Sequence, residues 1–175
     1  MLRRDGILDP DGRYKNPLTG DSYSDDYRKE AKGWRQLVTW KDREAIFNAI
    51  HKNQIVLVIA PTGVGKTVIV PKLLLHYLGY KEDPATEMPI WERTQDFYVG
   101  YKYGDMPEPR SDDKTKLLFS TDGSIKVMMT KTNPDLIGYG GILIDEAHER
   151  SVNIDVLIGL VAQLCRRRPE FKVII

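Results

Sequence analysis

The sequence predicts an α/β fold: a parallel sheet with helices on both faces. Three observations carry the prediction. Short apolar runs alternate with amphipathic segments of helical length, the pattern of strand–helix–strand units. The run "IVLVIA" (55–60) passes directly into a glycine-containing loop and then a helix-forming segment. The run "GILID" (141–145) ends abruptly in charge, with Asp145, Glu146, His148, Glu149 and Arg150 crowded at its tip.

A chain of 175 residues that is 41% apolar fits one domain with tails. With 26 Lys and Arg against 25 Asp and Glu, net charge points to no nucleic acid, so any basic track must be local. The single cysteine, Cys165, excludes an internal disulfide framework and agrees with an intracellular protein. No stretch approaches the roughly 18 apolar residues of a membrane span. The N-terminus "MLRRDGILDPDG" has no apolar signal core.

Residues 1–36 read as a polar, partly disordered leader, with a turn at "NPLTG" and a short helix near Tyr27–Trp34. Thr39 with Asp42 reads as an acidic variant of a capping box. It opens a helix with Ile46, Phe47, Ala49 and Ile50 on one face. The β-branched run 55–60 is predicted as a strand covered on both faces. "GKTVIVPKLLLHYL" reads as a helix that Pro71 kinks or restarts. Residues 81–115 carry no clear period, apart from a strand at "YVGYKYG" (98–104) and a loop at "MPEPRSDD". "KLLFS" (116–120), "KVMMT" (126–130) and "GILID" read as strands. The next helix lines up Ile154, Leu157, Ile158, Val161, Leu164 and Cys165, and "FKVII" is a last strand.

"APTGVGKT" (60–67) stands where a phosphate-binding loop needs to stand, between a buried strand and a helix. Gly63 and Gly65 let the backbone turn tightly, so that consecutive N–H groups converge on one anion. The helix N-terminus adds its dipole. Lys66 brings charge to the terminal phosphates, Thr67 offers a hydroxyl to magnesium, and Ala60 replaces the usual first glycine. Such a loop needs a second carboxylate for the metal, and Asp145 at a strand end is the natural candidate. Glu146, one residue on, can polarise a water against the terminal phosphate. A zinc-protease reading of "HE" at 148–149 fails, because the second histidine would fall on Val152.

"APTGVGKT", "STDGS" and "DEAHERS", in that order, resemble motifs I, Ib and II of the DEAH-box helicases of superfamily 2. The likeness runs from about residue 35 to 175. "DPDGRYKNPLTGDSYSDDY" resembles the leaders of helicases from large DNA viruses. The resemblance implies a RecA-like P-loop domain over 37–175 that uses ATP, or another nucleoside triphosphate, and Mg2+ to translocate on RNA. That RNA would be a single strand or a duplex with a tail. It implies that Ala60, Pro61, Thr62, Gly63, Val64, Gly65, Lys66 and Thr67 bind the nucleotide. Thr67 and Asp145 would hold magnesium, and Glu146 would activate the water with help from Lys66. His148 would couple nucleotide state to a second RecA-like domain. Thr121 and Asp122 would face nucleic acid, where backbone contacts position a strand without reading it.

Two departures stand out. "RTQDF" keeps Thr94 and Gln95 of motif Ia but lacks the Pro-Arg-Arg that follows, so either a strand and helix are missing and the sheet is incomplete, or the segment is rebuilt. The chain also stops before motif III and the second domain with its arginine fingers, which contribute about 10³ to 10⁵ in rate. It is therefore expected to bind nucleotide, hydrolyse it poorly and not unwind a duplex. The alternative is a non-catalytic nucleotide-binding or interaction fragment. Arg166–Arg168 read as a helix end complementing its dipole rather than a nucleic-acid patch. Tyr98, Tyr101 and Tyr103 read as strand packing rather than base platforms. Trp34, Trp40 and Trp91 read as anchors for loose segments, and Cys165 as a core residue.

Overall fold

The computed structural model describes residues 9, 11–13, 22–79, 99–104, 115 and 117–175. In chain order the elements are α1 (Asp25–Lys32), a 3-10 turn (Gly33–Gln36), α2 (Val38–Lys41), α3 (Arg43–Lys52), β1 (Ile55–Val56) and α4 (Lys66–Gly79). There follow β2 (Val99–Lys102), β3 (Leu117–Ser120), α5 (Asp122–Val127), β4 (Gly141–Leu143), α6 (Val152–Arg167) and β5 (Lys172–Ile174). The turn at "NPLTG", the loop at "MPEPRSDD", and Trp91, Thr94, Gln95 and Tyr98 lie outside the described residues. The chain divides into two units, one of Met1–His51 with Ile59–Gln95, the other of Lys52–Val58 with Asp96–Ile175. No helix among the described residues is long and apolar enough to cross a membrane.

In the first unit, part of the expected loose leader is packed. Ser24 caps α1 by accepting the Tyr27 N–H at 3.1 Å, and Asp25 and Asp26 complement the helix N-terminus. The helix buries Tyr27 and Ala31. Tyr27 stacks on Tyr23 at 4.1 Å and meets Trp34 edge-on at 5.7 Å. Lys72 of α4, itself buried, sets its ammonium 3.7 Å from the Trp34 ring centre, so cation–π attraction offsets part of its desolvation. Trp34 and Trp40 are 6.3 Å apart. Trp34 and Trp40 thus anchor the segment, as expected. On α3, Ile50 is fully buried and Ile46, Phe47 and Ala49 are half-buried, the predicted face. Helix α4 runs through Pro71 without restarting and buries Ile69, Val70, Leu73, Leu74 and Leu75. Each such side chain contributes about 1.5–3 kcal/mol.

In the second unit, β5 is the middle strand of a parallel sheet in the order β1-β5-β4, with Val173 opposite Ile55 and Ile142. A separate parallel pair joins β2 to β3, with Tyr101 opposite Phe119. The expected parallel pairing is present, divided between two sheets. Helix α6 buries Ile154, Leu157, Val161, Leu164 and Cys165 in one cluster with Phe171, Val173, Ile144 and Met129. Arg168 closes the end of that helix. Its Nη1 donates to the carbonyls of Asp135, Leu136 and Tyr139 at 2.9–3.0 Å, and Arg167 Nε donates to Asp135 at 2.7 Å. Both arginines therefore bind the 134–139 turn.

Four expectations need correction. "KVMMT" is not a strand: it continues α5 into a π-helical turn, Met128–Thr132. Ile125, Met128 and Met129 stand three and four residues apart and pack on the core from one helical face, which outweighs their local strand preference. The run 55–60 is not covered on both faces: Ile55, Leu57 and Ile59 point outward while Val56 is buried, the alternation of a strand covered on one side. Thr39 does not cap α3. It lies inside α2, and its side chain turns to Val64. Tyr101 and Tyr103 are exposed, with parallel rings 6.4 Å apart, so they fill no core.

Candidate nucleotide site

In the first unit the loop 60–65 enters α4 at Lys66. Gly63 (φ +81°) and Gly65 (φ +94°) adopt left-handed conformations that any side chain would strain. Gly65 has a second reason to be glycine. A Cβ there would stand 2.6 Å from Leu37 Cδ1 and 2.9 Å from Thr39 Oγ1. The Gly65 carbonyl accepts the Val68 and Ile69 N–H groups at 3.2 and 2.9 Å, starting the helix. Lys66 Nζ donates to the carbonyls of Ala60 at 2.6 Å and Pro61 at 3.0 Å, so its ammonium spans the mouth of the loop. Thr62, Gly63 and Thr67 are exposed and Val64 is half-buried.

The loop is braced by residues that sequence reading missed. Thr39 Oγ1 donates to the Val64 carbonyl at 2.8 Å, and the Thr39 N–H reaches the same oxygen at 3.4 Å. Thr39 is 2% exposed. A buried hydroxyl requires a partner, but the burial itself is not legible in the sequence, so no local signal marked the bond.

In the second unit the acidic tip follows β4. Ile144 is buried and donates its N–H to the Ile174 carbonyl at 2.9 Å, fixing the point where the chain leaves the sheet. Asp145 Oδ1 accepts the Glu146 N–H at 3.0 Å. Glu146 (φ 51°) and Arg150 (φ 52°) are both left-handed and flank a 3-10 turn, Ala147–Glu149. Non-glycine residues pay about 1 kcal/mol or more each for such a conformation, strain of the kind that gathers at functional turns. His148 Nδ1 lies 3.3 Å from Glu146 Oε2. Arg150 grips Asp155 with two bonds of 2.7 and 3.2 Å. Those bonds, and the attraction behind them, raise the guanidinium above its ordinary range and hold Asp155 below the usual carboxylate value.

The structure also joins two motifs that the sequence kept apart. Asp122 Oδ2 accepts the Ser151 hydroxyl at 3.2 Å, while its Oδ1 accepts the Gly123 N–H at 2.6 Å. Thr121 is exposed, and its hydroxyl is 2.9 Å from that of Ser124. Of the two expected magnesium ligands, Thr67 belongs to the first unit and Asp145 to the second. Among the described residues, no group of three or more His, Cys, Asp or Glu is placed to hold a metal alone.

A glycine loop with two left-handed glycines that enters a helix at a lysine is the pattern of a P-loop nucleotide-binding α/β protein. No protein-family model matches the chain. It is 34% identical over 97% of its length to a protein of Acanthamoeba polyphaga mimivirus, provisionally named ATP-dependent RNA helicase L540. It is 31% identical over 91% of its length to the human protein provisionally named pre-mRNA-splicing factor ATP-dependent RNA helicase DHX32. The chain spans about a quarter of the length of these relatives, 27% and 24%. The mimivirus match runs over 186 aligned positions against the 175 residues here, so that relative carries residues within the matched stretch that this chain lacks. Among solved structures, the Escherichia coli DEAH/RHA helicase HrpB superposes with a TM-score of 0.63 and 24% identity. It covers 79% of this chain and 19% of its own, and it establishes the RecA-like fold. With its three motifs in order, the chain is similar to a stretch of ATP-dependent RNA helicases of the DEAH type.

Proposed function

We propose that this chain is the ATP-binding part of an ATP-dependent RNA helicase. Residues 37–175 form the first RecA-like domain, and residues 1–36 are a leader, part of which packs on its helices. The observation that carries the reading is the loop itself: Gly63 and Gly65 left-handed, and Lys66 reaching across to the Ala60 and Pro61 carbonyls.

In this reading the segment from Ala60 to Thr67 binds the nucleotide, with the N–H groups of 62–67 and the Lys66 ammonium facing phosphate oxygens. Thr67 and Asp145 would each contribute a ligand to Mg2+, which when bound would supply positive charge to offset that of the phosphates. Glu146 takes a proton from the attacking water as the bond to the ADP oxygen breaks. His148, 3.3 Å from Glu146, carries nucleotide state toward a second RecA-like domain. Thr121 and Asp122 contribute to the RNA-facing surface.

Calorimetric titration with a non-hydrolysable ATP analogue and Mg2+ tests this. Magnesium-dependent binding that falls by a hundredfold or more in Lys66→Ala is the expected result. Equal binding by a folded Lys66→Ala variant would refute it.

A further inference from the structure

We propose that Thr39 is a positioning residue for the phosphate loop: by holding the Val64 carbonyl, it turns the Gly65 N–H toward the bound phosphates. The inference rests on the nucleotide reading of the loop and goes beyond it, because Thr39 stands 21 residues before the loop begins and lies outside the phosphate-loop, STDGS and DEAH motifs.

Val64 lies between two glycines, Gly63 and Gly65, both left-handed. Glycines permit the peptide planes beside them to rotate at little steric cost, so the orientation of the Val64–Gly65 peptide is weakly determined by the loop itself. The orientation matters. A carbonyl turned into the loop would present negative charge to an anion, whereas an N–H presents a donor. In a trans peptide the C=O and the following N–H point to opposite edges of one plane. No cis peptide bond occurs among the described residues. Thr39 receives the Val64 oxygen on the α2 side, through its hydroxyl at 2.8 Å and its N–H at 3.4 Å. The Gly65 N–H must then point away from α2.

Thr39 is suited to act as this lock. It is 2% exposed, so water does not compete for its bond. Its helix is itself held, by the Leu37 N–H bonded to the Trp34 carbonyl at 2.9 Å and by the packing of Trp34 near Trp40. The contact of Leu37 against Gly65 keeps α2 close enough for the bond to form. The packed leader is thereby tied to the loop through two residues.

The test titrates the 175-residue chain with Mg2+ and tripolyphosphate, and separately with a non-hydrolysable ATP analogue, alongside thermal melts. Thr39→Val keeps the shape and removes the hydroxyl. It should weaken both ligands by about tenfold, as loss of one buried hydrogen bond would. Thr39→Ser should restore affinity to within about twofold. If Thr39→Val does not fold, Thr39→Cys, with a weaker donor, should still weaken tripolyphosphate binding. A melt that shifts while both affinities stay at the wild-type value would make Thr39 a merely structural residue and overturn the inference. Lys66→Ala separates the two failures. If Lys66→Ala loses binding and Thr39→Val does not, only the role of Thr39 falls. If the wild type does not bind either ligand, the nucleotide reading falls with it.

Discussion

The hydroxyl of Ser151 donates to the carboxylate of Asp122 at 3.2 Å, and the same oxygen accepts the N–H of Ile154 at 3.2 Å. One side chain therefore starts α6 and fastens it to the beginning of α5. Ser151→Ala should lower the unfolding free energy by about 1 kcal/mol, the usual worth of a helix cap. Urea denaturation measures this, and an unchanged midpoint would show that neither bond stabilises the fold.

Gly65→Ala should remove nucleotide binding and destabilise the first unit. The φ of +94° and the 2.6 Å approach to Leu37 Cδ1 leave no room for a methyl group unless α2 moves. The expected loss is about 1–3 kcal/mol. Leu37→Ala should recover part of it by opening space, and no recovery would assign the cost to backbone strain and the 2.9 Å approach to Thr39 Oγ1.

At position 150 the left-handed backbone should decide the rank of substitutions. Arg150→Gly should be more stable than Arg150→Val by at least about 1 kcal/mol. Thermal melting makes the comparison, and because both variants lack the ion pair with Asp155 its loss cancels. Equal stability of the two would mean that the turn rearranges.

The Asp155 carboxyl should titrate below its ordinary value of 3.8, because of its hydrogen bonds with Arg150. A folded-state value lower than the unfolded one contributes stability above the unfolded value, and that contribution is lost as pH falls through the folded value. The pair is thus indifferent to pH around neutrality and weakens only in acid. NMR titration of the carboxyl carbon should show the midpoint return toward 3.8 in Arg150→Ala.

Cys165 is 7% exposed and burial pushes its thiol up. A thiol reagent at neutral pH should label the native chain slowly and the urea-unfolded chain at once. Fast labelling under native conditions would mean that the α6 cluster opens readily.

Much of the fold was legible because period and punctuation agreed. The stripe on α6 and the face of α3 follow a helical repeat, and β3, β4 and β5 are short apolar runs bounded by turns. The loop and the DEAH segment declared themselves through glycines and carboxylates next to strands. "KVMMT" misled because a five-residue apolar run has no period of its own, and Met128 and Met129 only reveal their face once α5 is known to precede them. Thr39 misled for a related reason. A threonine three residues before an aspartate has the local look of a cap, and only the three-dimensional approach of Val64 shows where the hydroxyl goes. The Asp122–Ser151 bond joins residues 29 apart in sequence, a distance at which no local pattern operates.

The outward face of β1 bears on how the chain behaves in a test tube. Ile55, on β1 at the margin of its sheet, is 50% exposed, and Leu57, one residue beyond the strand, is 65% exposed. Such a margin is adhesive, since backbone pairing and greasy side chains are offered together. Preparations should scatter more light as they are concentrated, and a single lysine at position 57 should suppress this while leaving Val56, which faces the interior, undisturbed.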